Sequence, residues 1–265
     1  MQEHLDEFLA TGRAPQQPRA ASTVLLLRDT TKGPEVYLLR RHSRMPFAAG
    51  MFAFPGGAVD PRDADRALAW AGPPPEEWAE RLRCDEAEAR ALVCAAVRET
   101  FEESGVLLTG ETRGSVVADT TGEDWERDRV ALVARTLSFA DLLQRRDLVL
   151  RSDLLLPWAH WITPEFEPRR YDTRFFVAAL PAGQLTRDVS GEADQVAWVL
   201  PAQAVADADA GLIEMLPPTY VTLSDLVDHP TTASILAAAR DRVIETVLPR
   251  AEIVDGATEL SWRKS

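Results

Sequence analysis

Glu99, Glu102 and Glu103 crowd three carboxylates into the stretch Arg98-Glu99-Thr100-Phe101-Glu102-Glu103-Ser104-Gly105-Val106. On a helix, Glu99 lies three residues from Glu102 and four from Glu103, so all three project from adjoining parts of one face. Like charges at that spacing repel by about 0.2–0.5 kcal/mol per pair. They also stand near the C-terminus of the expected helix, where the macrodipole disfavours negative charge. A hard divalent cation removes both objections, because Mg²⁺ takes carboxylate and water oxygens in octahedral geometry. Taken alone, the cluster also suits a solvated charged face, with Arg98 paired to Glu102 at i, i+4. The flanking sequence has to decide between a metal site and a surface patch.

The elements that must position these glutamates follow from local patterning. Ala87–Ser104 is built mostly of good helix formers, and Gly105 stands where a left-handed C-terminal cap is expected. Upstream, the apolar runs Ala21–Arg28 and Glu35–Arg41 read as two strands of a hairpin turning over Asp29–Pro34. A Gly/Pro-punctuated loop, residues 42–60, holds Phe54-Pro55-Gly56-Gly57. The stretch 61–90 is interrupted by Gly72-Pro73-Pro74-Pro75 and reads as a helical insertion of two short helices. Beyond the acidic helix, Val106–Leu108 and Val116–Ala118 read as short strands. Glu126–Leu137 and Ser138–Arg146 read as helices, the second opened by a Ser cap. Leu154–Ile162, Arg174–Leu180 and Val196–Leu200 are further strand candidates, and Ala202–Ala210, Thr219–Val227 and Thr231–Val247 read as helices. Mixed short strands with a few helices make this an α/β sandwich rather than a bundle or an all-β barrel.

The flanks of the glutamates carry a family resemblance. The segment from Arg98 to Val106 resembles the second half of the Nudix box, G-x5-E-x7-R-E-U-x-E-E-x-G-U with U a bulky apolar residue. Every fixed Arg, Glu and Gly of that half is present, and Thr100 replaces the first bulky residue. Phe54-Pro55-Gly56-Gly57 resembles the loop that opens the box. After five intervening residues beyond Gly57 the chain presents Asp63 where the box has Glu, and roughly thirty more intervene before Arg98. The box is therefore split, and Asp60 and Asp63 are the acidic candidates for its first Glu. A second block, Trp158-Ala159-His160-Trp161-Ile162-Thr163-Pro164 followed by Arg169-Arg170-Tyr171-Asp172-Thr173-Arg174-Phe175-Phe176, strengthens the likeness. Both resemble the split-box Nudix subgroup that includes a peroxisomal coenzyme A diphosphatase of animals.

That resemblance implies a Nudix-type α/β/α sandwich with a mixed sheet, a helical insertion inside the box and a helical C-terminal extension. Residues 1–20 combine a short polar helix candidate with the loop Thr11–Pro18 and read as a mobile leader. The resemblance implies a Nudix domain at 21–200 with its insertion at 61–90, followed by an extension at 201–265 packed on the same domain. It also implies hydrolysis of a phosphoanhydride in a nucleoside diphosphate conjugate, coenzyme A or a derivative among them. Glu99, Glu102 and Glu103 would hold Mg²⁺ or Mn²⁺ with Gly57 beside them, and Arg98 would orient a carboxylate by a charge-assisted hydrogen bond. Glu192 and Asp194 stand in reserve as bases. Gly56 would admit the phosphates, and Arg40, Arg41, Arg44, Arg169 and Arg170 are the guanidinium candidates for binding them. His42 and His160 have the chemistry of ligands or bases, although a His between Trp158 and Trp161 suits a packed, hydrogen-bonded role better. A second reading keeps the same cleft as a catalytically weak nucleotide sensor, motivated by the displaced first Glu.

Composition limits the partners. With 42 acidic and 29 basic residues the net charge is −13, a field that disfavours nucleic-acid polymers and anionic membranes. A small phosphorylated substrate is still admissible, because a local Arg cluster or bound cation reverses the sign inside a cleft. The cysteines Cys84 and Cys94 make no CxxC pattern and read as packed residues. The first residues lack a signal peptide's basic start and apolar core, so the cytoplasm is the expected location. A homodimer is left open.

Overall fold

The computed structural model describes residues 2–42, 48–187, 193–254 and 257–261. The chain begins with α1 (Gln2–Thr11), β1 (Arg19–Thr30), β2 (Gly33–Arg41), β3 (Phe52–Ala53) and β4 (Gly56–Ala58). A 3-10 turn at Pro61–Ala64 leads to β5 (Trp70–Ala71), α2 (Pro75–Leu82), α3 (Glu86–Ser104) and β6 (Thr109–Gly110). Then come α4 (Glu123–Val133), α5 (Phe139–Arg145), β7 (Val149–Arg151), β8 (Leu156–Ile162), β9 (Tyr171–Ala179) and β10 (Ala193–Val199). The last part holds α6 (Pro201–Asp209), α7 (Pro217–Ser224), α8 (Thr232–Arg240), β11 (Thr246–Val247), β12 (Arg250–Val254) and β13 (Ala257–Ser261).

Val24–Leu27 and Val36–Leu39 are apolar runs without alternation and are buried on both faces, as central strands covered on two sides must be. They lie in a mixed sheet of order β10-β2-β1-β9-β8-β11, with β3 paired to β2 and β4 to β1. The β1–β9 and β8–β11 pairs are parallel. One face packs against α2, α3 and α5 through Val24, Leu26, Phe176, Trp78, Leu92 and Phe139. The other packs against α6, α7 and α8 through Leu25, Leu27, Val177, Ala204, Leu223 and Ile235. Helices on both faces of a mixed sheet are the expected α/β/α sandwich.

Several expectations are corrected. The insertion at 61–90 holds one α-helix before α3, together with the 3-10 turn and the short β5; the helix starts at Pro75, which is preorganised for a first turn, and ends at Arg83 in left-handed backbone. The helix expected over Thr231–Val247 stops at Arg240, and its end becomes β11, a Thr-Val pair laid beside His160 and Trp161 of β8. The tail then makes the β12–β13 hairpin, so its described residues form three helices and three strands. Residues 1–20 contain α1, tied to the β8–β9 turn by His4 to Glu167 and by Arg13 to the Phe166 carbonyl.

Val106–Leu108 and Val116–Ala118 do not form strands. Their place is taken by a side chain: Gln184 accepts from Leu107 N–H at 2.8 Å and donates to the carbonyls of Leu107 at 2.9 Å and Val117 at 2.6 Å. Buried backbone groups need partners, and a buried amide supplies them here. The short β7 went unforeseen; it joins β5 and β6 in a separate three-stranded sheet.

Candidate functional site

Helix α3 is where the sequence pattern places it. Asp85 caps its start by accepting from Glu88 N–H, and Gly105 closes it at φ 75° with its N–H on the Phe101 carbonyl. Its middle, Ala91–Val97, is buried all round between the sheet and its neighbours. Ser22 of β1 donates to the Leu92 carbonyl at 2.6 Å and fixes the helix on the sheet. Thr100, at the position where a bulky apolar residue was expected, is fully buried. Its hydroxyl is satisfied by the Ala96 carbonyl at 2.7 Å, one turn back, so the polar atom makes no demand on the core.

Arg98 organises the carboxylates. A guanidinium has five N–H donors in a fixed fork, and here every one is used. Nε and Nη2 grip Asp63 at 3.0 and 2.9 Å, and Nη2 also donates to the Ala58 carbonyl at 3.0 Å. Nη1 donates to Glu99 Oε1 at 2.6 Å and to Glu102 Oε1 at 3.1 Å. Of the two acidic candidates for the first Glu of the box, Asp63 is the one that meets Arg98, and it is 2% exposed. Asp60 has a different partner: Arg62 holds it through two charge-assisted bonds and lowers its pKa.

The glycines are required by space. Gly56 and Gly57 both have ordinary negative-φ geometry. A Cβ on Gly56 would meet the Ser22 carbonyl oxygen and Thr23 Oγ1 at 2.5 Å, and one on Gly57 would meet the Glu99 carboxylate at 2.6 Å. β4 carries these glycines opposite Ser22 and Thr23 of β1, and the Gly56 N–H donates to Glu103 Oε2 at 2.8 Å. The loop and the helix thus close on one another through Glu99 and Glu103.

Burial pushes the Glu99 carboxyl up to about 7; Arg98 works against that rise and Glu102 adds to it. Glu102 is raised by burial too, again against Arg98. For Arg98, burial works against the charge, but Asp63 and the two glutamates outweigh it and raise its pKa. The site is therefore a carboxylate pocket with less positive charge than its acids need.

The helix terminus receives help that the sequence did not announce. Arg129 of α4, 5% exposed, donates to the Glu102 carbonyl at 2.7 Å. Arg187 packs so closely on Gly105 that a Cβ there would meet its Nε at 2.9 Å. Glu126 joins the two guanidinium groups. Cations at a helix C-terminus offset the macrodipole, so two Arg from other segments support the acidic last turn. No spacing rule links 129 or 187 to 102.

The remaining candidates are divided. Arg41 ends β2 where its N–H meets the Met51 carbonyl, and Arg40 Nε donates to the Gly50 carbonyl, so both border the loop that runs to Gly56. Arg169 is exposed. Arg170 is buried and bonded to the Thr163 and Gln16 carbonyls, which ties the N-terminal segment to the β8–β9 turn. His160 bonds Asp172 at 2.6 Å and Thr246 at 2.8 Å, the packed role anticipated for it. Arg44 and Glu192 lie outside the described residues, as does the side chain of Asp194. Cys94 is buried in the core and Cys84 half-buried, both free.

An α/β/α sandwich that presents a glutamate-bearing helix to a Gly-Gly loop defines the class: the architecture of Nudix hydrolases. A family model described as the NUDT19 Nudix domain matches residues 79–226, more than half of the chain. A nudix hydrolase of Caenorhabditis elegans is 28% identical over 218 residues, 82% of this chain and 63% of that one. The acyl-coenzyme A diphosphatase NUDT19 of Xenopus laevis is 25% identical over 232 residues, 75% of this chain and 61% of that one. The chain thus spans less than two thirds of these relatives' own length. The crystal structure of a NUDIX hydrolase from Alicyclobacillus acidocaldarius superposes with a TM-score of 0.69 at 27% identity, covering 84% of this chain and 96% of that one. The chain belongs to the Nudix superfamily, in the subgroup of the NUDT19 Nudix domain. No helix among the described residues is long and apolar enough to cross a membrane.

Proposed function

We propose that the protein hydrolyses the phosphoanhydride of a nucleoside diphosphate conjugate, with coenzyme A or its acyl thioesters as the favoured class and Mg²⁺ or Mn²⁺ as cofactor. The observation that carries this reading is the shared guanidinium: Arg98 holds Glu99 and Glu102 together against Gly57 while Asp63 holds Arg98. The name of the Xenopus relative supports the substrate class.

The residues suit a divalent ion. The donors are hard oxygens, the space a Gly57 side chain would fill is taken by a carboxylate, and burial leaves Glu99 short of positive charge. Among the described residues no three acidic, His or Cys groups already converge on one point, since Glu99 and Glu102 turn to Arg98 and Glu103 to Gly56. These contacts use one oxygen of each carboxylate, so loading an ion means bringing the other oxygens, which share one helix face, to one point. When bound, the ion supplies charge neutralisation for phosphate oxygens and acidifies a coordinated water. Arg98 keeps Glu99 and Glu102 in register, the Gly56 N–H holds Glu103, and a carboxylate of this set accepts a proton from the attacking water. Arg40 and Arg41 flank the approach to the loop as partners for the phosphates.

The test is a panel of coenzyme A, acyl-coenzyme A, NADH and ADP-ribose with Mg²⁺ or Mn²⁺, run beside Glu103→Gln. Metal-dependent release of an adenosine 3′,5′-bisphosphate product by the wild type alone is expected. Silence across the panel rejects the reading, and tight calorimetric binding without turnover would replace it with the sensor. The bond from Asp63 to Arg98 supports the hydrolase over the sensor, which the displaced first Glu had motivated.

A further inference from the structure

The C-terminal extension meets the chain just before the glycine loop. Phe52 N–H donates to the Glu214 carbonyl at 2.8 Å, and Phe52 bridges Met215. Phe52 sits in β3, paired with Arg40 of β2, four residues ahead of Gly56. Around this junction Met51, Ala208, Ile213, Met215, Pro217 and Tyr220 wall a concavity of about 410 Å³. That volume lies within the about 300–1,000 Å³ usual for small-molecule sites. Five extended residues span at most about 18 Å, so Gly56 is no further than that from Met51 along the chain.

The charge of the concavity narrows what it can hold. Among the described residues its lining has no basic side chain, and its one charged member is Glu214. Asp209 stands beside it, accepting from the Tyr220 hydroxyl at 2.8 Å. Glu214 and Asp209 disfavour a phosphate inside the concavity, whereas Arg40, bonded to the Gly50 carbonyl next to Met51, stands to meet phosphates outside it. A neutral apolar chain would bury its surface against two methionines, an isoleucine and a proline.

We propose that this pocket, built by the α6–α7 segment against the root of the glycine loop, receives the neutral acyl-pantetheine arm of a coenzyme A thioester and sets acyl-chain selectivity. The inference rests on the diphosphatase reading above. With the diphosphate at α3, which packs on the other face of the sheet from α6 and α7, the pantetheine arm of coenzyme A would pass the β3–β4 loop to reach Met51 and bring the acyl chain to Ile213 and Tyr220.

The experiment compares kcat and KM for coenzyme A and its acetyl, octanoyl and dodecanoyl thioesters with Mg²⁺, in wild type, Met215→Asp, Ile213→Asp and Met215→Leu. In the wild type KM should fall with chain length, by up to about fourfold per methylene that becomes buried, while kcat changes little. In both Asp variants the dodecanoyl-to-coenzyme A ratio of kcat/KM should drop at least about tenfold, since a charge then faces the chain. Met215→Leu should retain the ratio and guards against misfolding as the cause. A wild type that cleaves coenzyme A without chain-length dependence overturns the pocket and leaves the diphosphatase reading standing. So does an unchanged ratio in both Asp variants. So does a variant that loses inhibition by adenosine 3′,5′-bisphosphate instead, which would seat the nucleotide end here. If no member of the series is cleaved, the reading and the pocket fall together.

Discussion

Asp63 and Arg98 meet in a two-point ion pair, Oδ1 to Nε at 3.0 Å and Oδ2 to Nη2 at 2.9 Å, across 35 residues of chain. Bidentate pairing of this kind fixes the plane of the guanidinium as well as its position. The remaining donors then point at Glu99, Glu102 and the Ala58 carbonyl. An insertion can lengthen the chain between the two halves of the box without cost to the site, provided both ends return to this pair. Asp63→Ala leaves a buried cation with two donors unmatched, a situation that costs about 3–5 kcal/mol. A fall of that size in denaturant-derived stability, with activity lost even where the variant stays folded, is expected. Asp63→Asn, which keeps one acceptor and the shape, should lie between it and the wild type. Unchanged stability for Asp63→Ala would show that the pair is dispensable.

Gly57→Ala separates packing from backbone freedom, because Gly57 has a conformation any residue can adopt. The added Cβ would fall 2.6 Å from the Glu99 carboxylate, the far end of a side chain that can rotate away. The fold should therefore survive with a small change in Tm, while a displacement of about 1 Å at Glu99 lowers kcat by about 100-fold. Thermal melts and initial rates on the same preparation distinguish the two effects. A variant with wild-type kcat would mean that the Glu99 position does not matter to turnover.

How far the site was legible depends on how local its signals are. Glu99, Glu102, Glu103 and the Gly105 cap form one helix turn and its end, so spacing alone placed them on one face. Asp63 was one of two candidates by counting from Gly57, and only the fold shows that Asp60 is taken by Arg62. Arg129 and Arg187 act on the same helix end from α4 and from the segment before β10, and no periodicity connects them to it. Arg170, attractive as a phosphate ligand by residue type, is bonded to main-chain carbonyls because the N-terminal segment passes over it. The strands of the sheet were legible from unbroken apolar runs. β11 was hidden because Val243-Ile244-Glu245-Thr246-Val247 continues a helical-looking pattern, and the pairing that makes it a strand comes from β8.

Gln184 is the counterpart of that lesson, a polar residue whose task exists only in three dimensions. It is 2% exposed and satisfies Leu107 N–H, the Leu107 carbonyl and the Val117 carbonyl. Gln184→Leu keeps the volume and leaves three buried backbone groups without partners, each costing about 1–3 kcal/mol. Destabilisation of at least about 3 kcal/mol is expected by urea unfolding, with KM unchanged at temperatures where the variant is folded. A loss below about 1 kcal/mol would mean that water replaces the amide.

The carboxylates themselves make the metal-free protein sensitive to pH, with a defined sign. Glu99 titrates near 7 in the folded chain and near the ordinary 4.5 when unfolded, raised chiefly by burial. Between those values the folded chain holds a proton that the unfolded chain has released. The group's contribution to stability is therefore fully present below about 4.5 and is lost as pH rises through about 7, on the order of 3 kcal/mol at most. Glu102 shifts in the same direction and adds to the slope. Melts in chelator from pH 5 to pH 8 should show Tm falling through this window relative to Glu99→Gln, whose curve should be flatter. Metal binding opposes the proton, so Mg²⁺ affinity measured by calorimetry should weaken about tenfold per unit of pH below 7, with proton release on binding. Raising pH thus loosens the empty site and favours the loaded one, so the Tm gain from saturating Mg²⁺ should grow from pH 5 to pH 8. A gain that is constant across that range would show that Glu99 enters the fold already ionised.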